Sequence, residues 1–550
     1  MKAVLESETI KKLISDLEKR VDEKILEPNN LAFLKKLLNK AESEDEAISI
    51  CKLGTTFYKT GLVFDKKLEV PSDGLKILKK DLKMSFGNSG LTNKLIIGDN
   101  YDALLNLTVQ YNGLIDVIYI DPPYGANKMG QFAQTNYENQ INRDNLLSML
   151  QPRLMLAKQL LSDTGVIFCS IDDKNFAYVK CLFDEVFGER NYSGTLIWQK
   201  KKKPSFLSKN FGTIFEYILC YVKEEKNTFP FSIETTTVGK KYPLNNAGNS
   251  KAVLTFPPKS VSFNMPDGIV KAQDMSGGNI YTVLLNDVEI EDGKNLNEFK
   301  LEGEWRYSQS KIDEIVKNGD VITISQVPFR PNHVKDGGEI KKMKNFLSQT
   351  SYNCETNEDG TDELNSIFGK IMFDNPKPVG LIETLIKATT YDNKNAIILD
   401  FFAGSGTTGE AVLKANEDGG NRRFILVQLP EALSNDDSSL TIKNEIELLD
   451  SYKLPRNLAY ITADRLRRIM IGEGYDGRTD FKWIKDNKKY GHSLEVFYIK
   501  EKSIFDSSIF SEIDETNYGI EKIDTLEEKV EWVCKNFQKV ARRLKDVTRD

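Results

Sequence analysis

Histidine is nearly absent from the 550 residues: His333 and His492 are the only two. The six cysteines (Cys51, Cys169, Cys181, Cys220, Cys354, Cys534) lie far apart and form no C-x-x-C pair, so no metal centre is expected. They read as buried, reduced thiols of a cytoplasmic protein. No apolar run approaches the roughly 18 residues of a membrane span. The opening MKAVLESETIKKL alternates charge with apolar residues where a secretory leader needs an apolar stretch. Neither secretion nor membrane embedding is expected. A basic excess is lacking too: 75 Lys and Arg face 81 Asp and Glu, a formal charge of −6, so any nucleic-acid contact must be local.

What is present is ordinary globular matter, 40% hydrophobic with 36 Gly and 17 Pro. At roughly 100 to 200 residues per domain the length implies about three to four domains. Near the start, Ile10, Leu13, Ile14, Leu17 and Val21 recur on one helical face, and helix is expected to about residue 60. From residue 94 the texture changes. KLIIGDN, IDVIYIDPPY and GVIFCSID are short Ile- and Val-rich runs that end in polar clusters, as buried parallel strands do. Helical stretches such as RDNLLSMLQPRLMLAKQLL and NFAYVKCLFDEVF separate them. The same alternation returns in PVGLIETLIKATT, NAIILDFFAGSGTTGEAVLKA and RRFILVQLP, so one doubly wound α/β sheet is assembled from two distant pieces. Between them, Gly-, Asn-, Pro-, Lys- and aromatic-rich segments with short alternating runs predict an inserted domain of mixed or mainly β structure.

Two motifs carry chemistry. In DFFAGSGTTG (400–409) a strand turns sharply into a helix, and Gly404 and Gly406 permit close backbone approach to a nucleotide-like cofactor. No Lys follows as in a P-loop, and the glycine spacing is not that of G-x-G-x-x-G. The second motif is Asp121-Pro122-Pro123-Tyr124, after the strand IDVIYI. Its prolines remove two backbone donors and leave carbonyls without competing amides, beside a carboxylate and a ring. Both motifs end strands of one inferred sheet, at the edge where open α/β sheets bind ligands.

With these motifs the chain resembles the amino-group DNA methyltransferases that use S-adenosylmethionine, whose signatures are D-P-P-Y and F-x-G-x-G. The catalytic motif precedes the insert and the cofactor motif follows it, the order of the permuted β class. Together with NPKPVGLIETLI, GTLIWQKKKKPS, FEYILCYVK, GEWRYSQSKIDEIVKNGD, ADRLRRIM and LEVFYIK, residues from roughly 90 to 500 resemble the modification subunit of a type III restriction-modification system. The resemblance implies a Rossmann-like, circularly permuted methyltransferase sheet. Its parts would be an N-terminal helical region (1–90), a catalytic half (91–200), a target-recognition insert (201–370), a cofactor half (371–455) and a C-terminal dimerisation or partner-binding region (456–550).

The same resemblance implies adenine-N6 methylation of double-stranded DNA after base flipping, a homodimer and a separate restriction subunit. Cytosine-N4 methylation and a non-catalytic recognition role remain alternatives. Asp121, Pro122, Pro123 and Tyr124 would be catalytic. Asp99, Asn100, Lys377, Asp400, Phe402, Ala403, Gly404, Ser405, Gly406, Thr407, Thr408 and Gln428 would hold the cofactor. The sequence departs from the family pattern at Phe401, at Gly125-Ala126 and at Gln428, which leaves the ribose contact open between Gln428 and Glu431. Lys200, Lys201, Lys202 and Lys203 would meet DNA phosphates, with Lys209 close by. Trp305, Arg306, Arg330 and His333 are candidate base readers.

Overall fold

The computed structural model describes residues 7–22, 26, 28–53, 74–87, 90–123, 142–204, 210–434, 439–503, 506 and 508–537. Its centre is a ten-stranded sheet. In chain order the strands are β1 (Gly74–Phe86), β2 (Thr92–Ile97), β3 (Ile115–Ile120), β4 (Leu161–Ile171), β5 (Tyr192–Gln199), β6 (Phe215–Val222), β7 (Phe346–Leu347), β8 (Ile397–Asp400), β9 (Arg423–Gln428) and β10 (Ser493–Ser503). Across the sheet they run β1-β10-β2-β9-β8-β3-β4-β6-β5-β7. From β10 to β4 all neighbours are parallel. β1 and β6 are antiparallel to theirs.

Alternation along β3 accounts for the layers, because successive strand side chains face opposite ways. Ile118 and Ile120 enter one core with helices α1 (Asn100–Tyr111), α2 (Asn142–Leu160) and α3 (Phe176–Phe187). Val117 and Tyr119 enter the other, with α4 (Val379–Thr389), α5 (Thr407–Ala415) and a later helix, Leu458–Ile471. The chain leaves β8 through α5 to β9 on one side and leaves β3 through α2 to β4 on the other. The β8/β3 boundary is therefore a topological switch point, where a crevice opens beyond the strand ends.

The insert has its own core, in which Phe256, Phe299, Phe329 and Trp305 are buried between short strands and the helix Gln309–Asn318. Helices Ser7–Asp22, Pro28–Leu38 and Glu44–Leu53 bury Leu17, Leu34, Leu38 and Ala47 as a small separate cluster.

Three boundaries differ from the division expected from sequence. Gly74–Phe86, inside the expected helical region, is a sheet strand whose apolar positions are buried on the body. Phe215–Val222 and Phe346–Leu347, inside the expected insert, complete the sheet edge. In the expected C-terminal partner region, β10 pairs with β1 and β2, and Ile509, Phe510, Ile513 and Tyr518 are buried in the main core. The Tyr518 hydroxyl there accepts from Leu78 N at 3.0 Å and donates to Asn106 at 2.8 Å.

Candidate active site

A cleft of about 630 Å³ opens at the switch point. Asp121, Pro122 and Pro123 reach it from the end of β3, Phe402 and Gly404 from the loop after β8, and Gln428 and Glu431 from the end of β9. Phe373, Asp374 and Lys377 line it ahead of α4, and Glu445 lines it from the helix Leu440–Tyr452. Residues from both distant halves of the chain thus share one cavity. Tyr124 and Lys209 lie outside the described residues.

The glycine loop is held from within. Asp400 is buried; its oxygens accept from Thr408 Oγ1 at 2.5 Å and from Phe402 N at 2.9 Å. Burial, only partly opposed by these bonds, raises its pKa to about 7. Gly404 N donates to Gln428 Oε1 at 2.7 Å, while Gln428 Nε2 donates to Leu429 O at 3.2 Å. Ala403 N donates to Val427 O at 3.1 Å. Arg465 reaches the loop from behind, with Nη1 donating to Ser405 Oγ at 3.0 Å and to Thr407 Oγ1 at 2.8 Å, and Nη2 paired with Glu410 at 2.8 Å. Asp400, Ser405, Thr407 and Thr408 therefore shape the loop, and its cleft-facing members are Phe402 and Gly404.

The two glycines have different surroundings. Both are left-handed, with φ of +53° at Gly404 and +82° at Gly406. A Cβ at Gly404 would stand 3.3 Å from the Phe373 ring; one at Gly406 would stand 3.1 Å from Thr462 Cγ2, inside the protein. Asp99 and Asn100 also work within the protein. Asp99 caps α1 through Tyr101 N and pairs with Arg153, and Asn100 Nδ2 donates to Phe401 O at 2.8 Å behind the loop.

On the Asp121 side of the cleft Lys377 is buried. Its Nζ stands 3.2 Å from Asp121 Oδ2 and 2.8 Å from Glu216 Oε2, with the Trp198 ring centroid 5.5 Å away. Burial opposes its charge, but Asp121 and Glu216 outweigh that, so its pKa is raised. Of the lysine run, Lys200 pairs with Glu216 at 3.2 Å, Lys201 lines the cleft, Lys202 pairs with Asp359 and Lys203 is exposed. In the insert, Trp305 Nε1 donates to Ala252 O, Arg330 to Met275 O, and His333 meets Asp320, all at partly or fully buried positions; Arg306 is exposed.

Reasoning from sequence did not single out Glu216, Arg465, Asp374 or Glu445. Glu445 is 3% exposed; burial first, then Asp374 and Glu431, raises its pKa to about 8. Glu431 is raised by burial as well. A carboxylate inside the apolar strand FEYILCYV was the available signal for Glu216.

Fold and cleft together define a ligand-binding crevice at the switch point of an open α/β sheet, with Asp121, Pro122 and Pro123 at one side. Within that class the chain belongs to the DNA methylase family, whose profile matches residues 115–434. A second profile, of an uncharacterised conserved protein, matches residues 10–116. The type III restriction-modification enzyme StyLTI Mod subunit of Salmonella typhimurium is 32% identical over 63% of this chain and 54% of its own length. The EcoPI Mod subunit of Escherichia phage P1 is 30% identical over 63% of this chain and 59% of its own. The type II methyltransferase M.KpnI of Klebsiella pneumoniae is 28% identical over 72% of this chain and 90% of its own. The chain thus matches somewhat over half the length of the two Mod subunits.

Proposed function

We propose that the chain is a sequence-specific DNA methyltransferase that modifies N6 of adenine with S-adenosylmethionine, as the modification subunit of a type III restriction-modification system. The observation that carries this reading is the meeting of Asp121 and Gly404 in one cleft. Family membership and the two Mod-subunit relatives support it.

The residues present fit the cofactor. Phe402 offers a half-buried ring, Gly404 leaves room where a side chain would narrow the cleft, and Glu431, Glu445 and Asp374 line one side with carboxyl groups suited to hydroxyl donors. S-adenosylmethionine supplies, when bound, an electrophilic methyl group on a sulfonium sulfur.

The protein's part is to make a poor nucleophile competent. The adenine amino lone pair is delocalised into the ring. The Asp121 carboxylate and Pro122 carbonyl accept its two N–H bonds and draw the nitrogen towards tetrahedral geometry, which frees the lone pair for in-line attack. Asp121 is also the group placed to take the surplus proton. In duplex DNA the target atom is hidden, so the base is extruded into the cleft, where Tyr124 stacks on it. Lys201 and Lys203 contact phosphates, and the insert reads the sequence. A homodimer completes the enzyme, and a separate restriction subunit cleaves.

Long-read sequencing of DNA from cells with and without the gene tests this reading. N6-methyladenine at one motif, present only with the gene, is the expected result.

A further inference from the structure

Four charged side chains form a continuous line from the lysine segment to the cleft: Lys200, Glu216, Lys377 and Asp121. The successive separations are 3.2, 2.8 and 3.2 Å. Exposure falls and then rises along it, with side chains 22%, 4%, 9% and 29% accessible. Glu216 lies in β6, directly opposite Trp198 of β5, while Lys377 precedes α4 from the far half of the chain. The carboxylate is thus the joint between the sheet edge, the segment after β5 and the catalytic corner.

A buried carboxylate is costly unless it is paired, and here it is paired twice. Without Glu216, Lys377 would lose its 2.8 Å ion pair and the pull away from Asp121 that this pair exerts. A lysine free to close on Asp121 would occupy the oxygens that must accept the target amino group, and would make that carboxylate a weaker acceptor.

We propose that Glu216 is a positioning residue for the transfer step: it holds Lys377 beside Asp121 at the distance that orients the carboxylate, and through Lys200 links that arrangement to the DNA-facing lysine segment. The inference rests on the assignment of Asp121 as the acceptor of the target amino group.

Charge supplies a readout that packing alone does not. Among the described residues, the charged groups lined up with Asp121 are Lys377 and, beyond it, Glu216 and Lys200. Tyr119 and Cys169 below it are kept neutral by burial, and Asp400 acts on it from β8. Glu216→Gln removes a negative charge from this set and makes Asp121 easier to ionise, so the acidic limb of the kcat profile moves to lower pH. Lys200→Met removes a positive charge and moves the limb to higher pH. Each shift should be roughly half a unit to one unit, below the ~1 to 3 units of an immediate neighbour. Asp400 is common to all variants and leaves the differences intact.

The experiment measures kcat and cofactor KM against pH at saturating DNA for the wild type, Glu216→Gln, Glu216→Asp and Lys200→Met. Opposite displacements for Glu216→Gln and Lys200→Met, a lower kcat with unchanged cofactor KM in Glu216→Gln, and recovery of the limb in Glu216→Asp are expected. Limbs that coincide with the wild type in both charge variants overturn the proposal. If Glu216→Gln does not fold, Lys200→Met at its half-buried position decides alone. Absence of methyl transfer by the wild type would instead count against the functional reading. A 13C-carboxylate titration of Asp121, assigned with Asp121→Asn, then reads the same shifts without turnover.

Discussion

Gln428 Oε1 accepts the backbone N–H of Gly404 at 2.7 Å, tying the glycine loop to the end of the neighbouring strand. The side chain acts as a brace, with its amide nitrogen spent on Leu429 O. Gln428→Ala leaves the Gly404 donor without that partner, a cost of ~1 to 3 kcal/mol if the loop does not relax. Calorimetry with S-adenosylhomocysteine should therefore show affinity falling about tenfold, since ~1.4 kcal/mol is a factor of ten. Unchanged affinity would mean that the brace is dispensable.

Arg465 and Glu410 form a buried pair at 2.8 Å, with side chains 1% and 5% accessible. Arg465→Met strands the Glu410 carboxylate and removes the bonds to Ser405 and Thr407. Breaking a buried pair on one side typically costs ~3 to 5 kcal/mol. Chemical denaturation should register a loss of that order. The double variant Arg465→Met/Glu410→Leu should recover part of it, because no unpaired charge remains.

What could be read from the sequence followed from how local its causes were. The strands around IDVIYI and AIILD, and the turns that end them, are runs of adjacent residues, and both motifs meet at the cleft. β1 escaped notice because Lys76, Lys79, Lys80 and Lys83 interrupt its apolar positions; the lysines lie along a strand at the sheet's edge, where their ends can reach water or carboxylates. ADRLRRIM reads from sequence as a basic helix, which does not say where its charges go. Two of its arginines are buried: Arg468 pairs with Asp464 one turn back in the same helix, and Arg465 pairs with Glu410, a partner that only the folded chain supplies. Glu445 was hidden for the same reason, since its neighbour Glu431 comes from another element and Asp374 from a third.

Glu445 gives stability a definite pH dependence. Its folded pKa is about 8 against an ordinary value of 4.5. The folded state therefore holds this proton more tightly than the unfolded state, and the contribution is full below about pH 4.5 and lost as pH rises through about 8. Thermal unfolding should show the melting temperature of Glu445→Gln falling less than that of the wild type between about pH 4.5 and pH 8, the window set by these pKa values. Parallel curves would contradict the buried, protonated state.

Gly404→Val and Gly406→Val should fail differently. Both force a left-handed backbone on a β-branched residue. The Gly404 side chain would project beside Phe373 at the cleft, so weakened S-adenosylhomocysteine binding should exceed any loss of stability. The Gly406 side chain would strike Thr462, and thermal stability should fall along with binding. Equal stability losses in the two variants would remove the distinction.

The central claim is that Asp121 activates an adenine amino group in this cleft. Its most direct test is nucleoside mass spectrometry of double-stranded DNA after incubation with S-adenosylmethionine and either the wild type or Asp121→Asn. The account predicts N6-methyl-2′-deoxyadenosine with the wild type and none with the variant, while both bind S-adenosylhomocysteine equally. N4-methyl-2′-deoxycytidine as the product, or comparable methylation by Asp121→Asn, would contradict it.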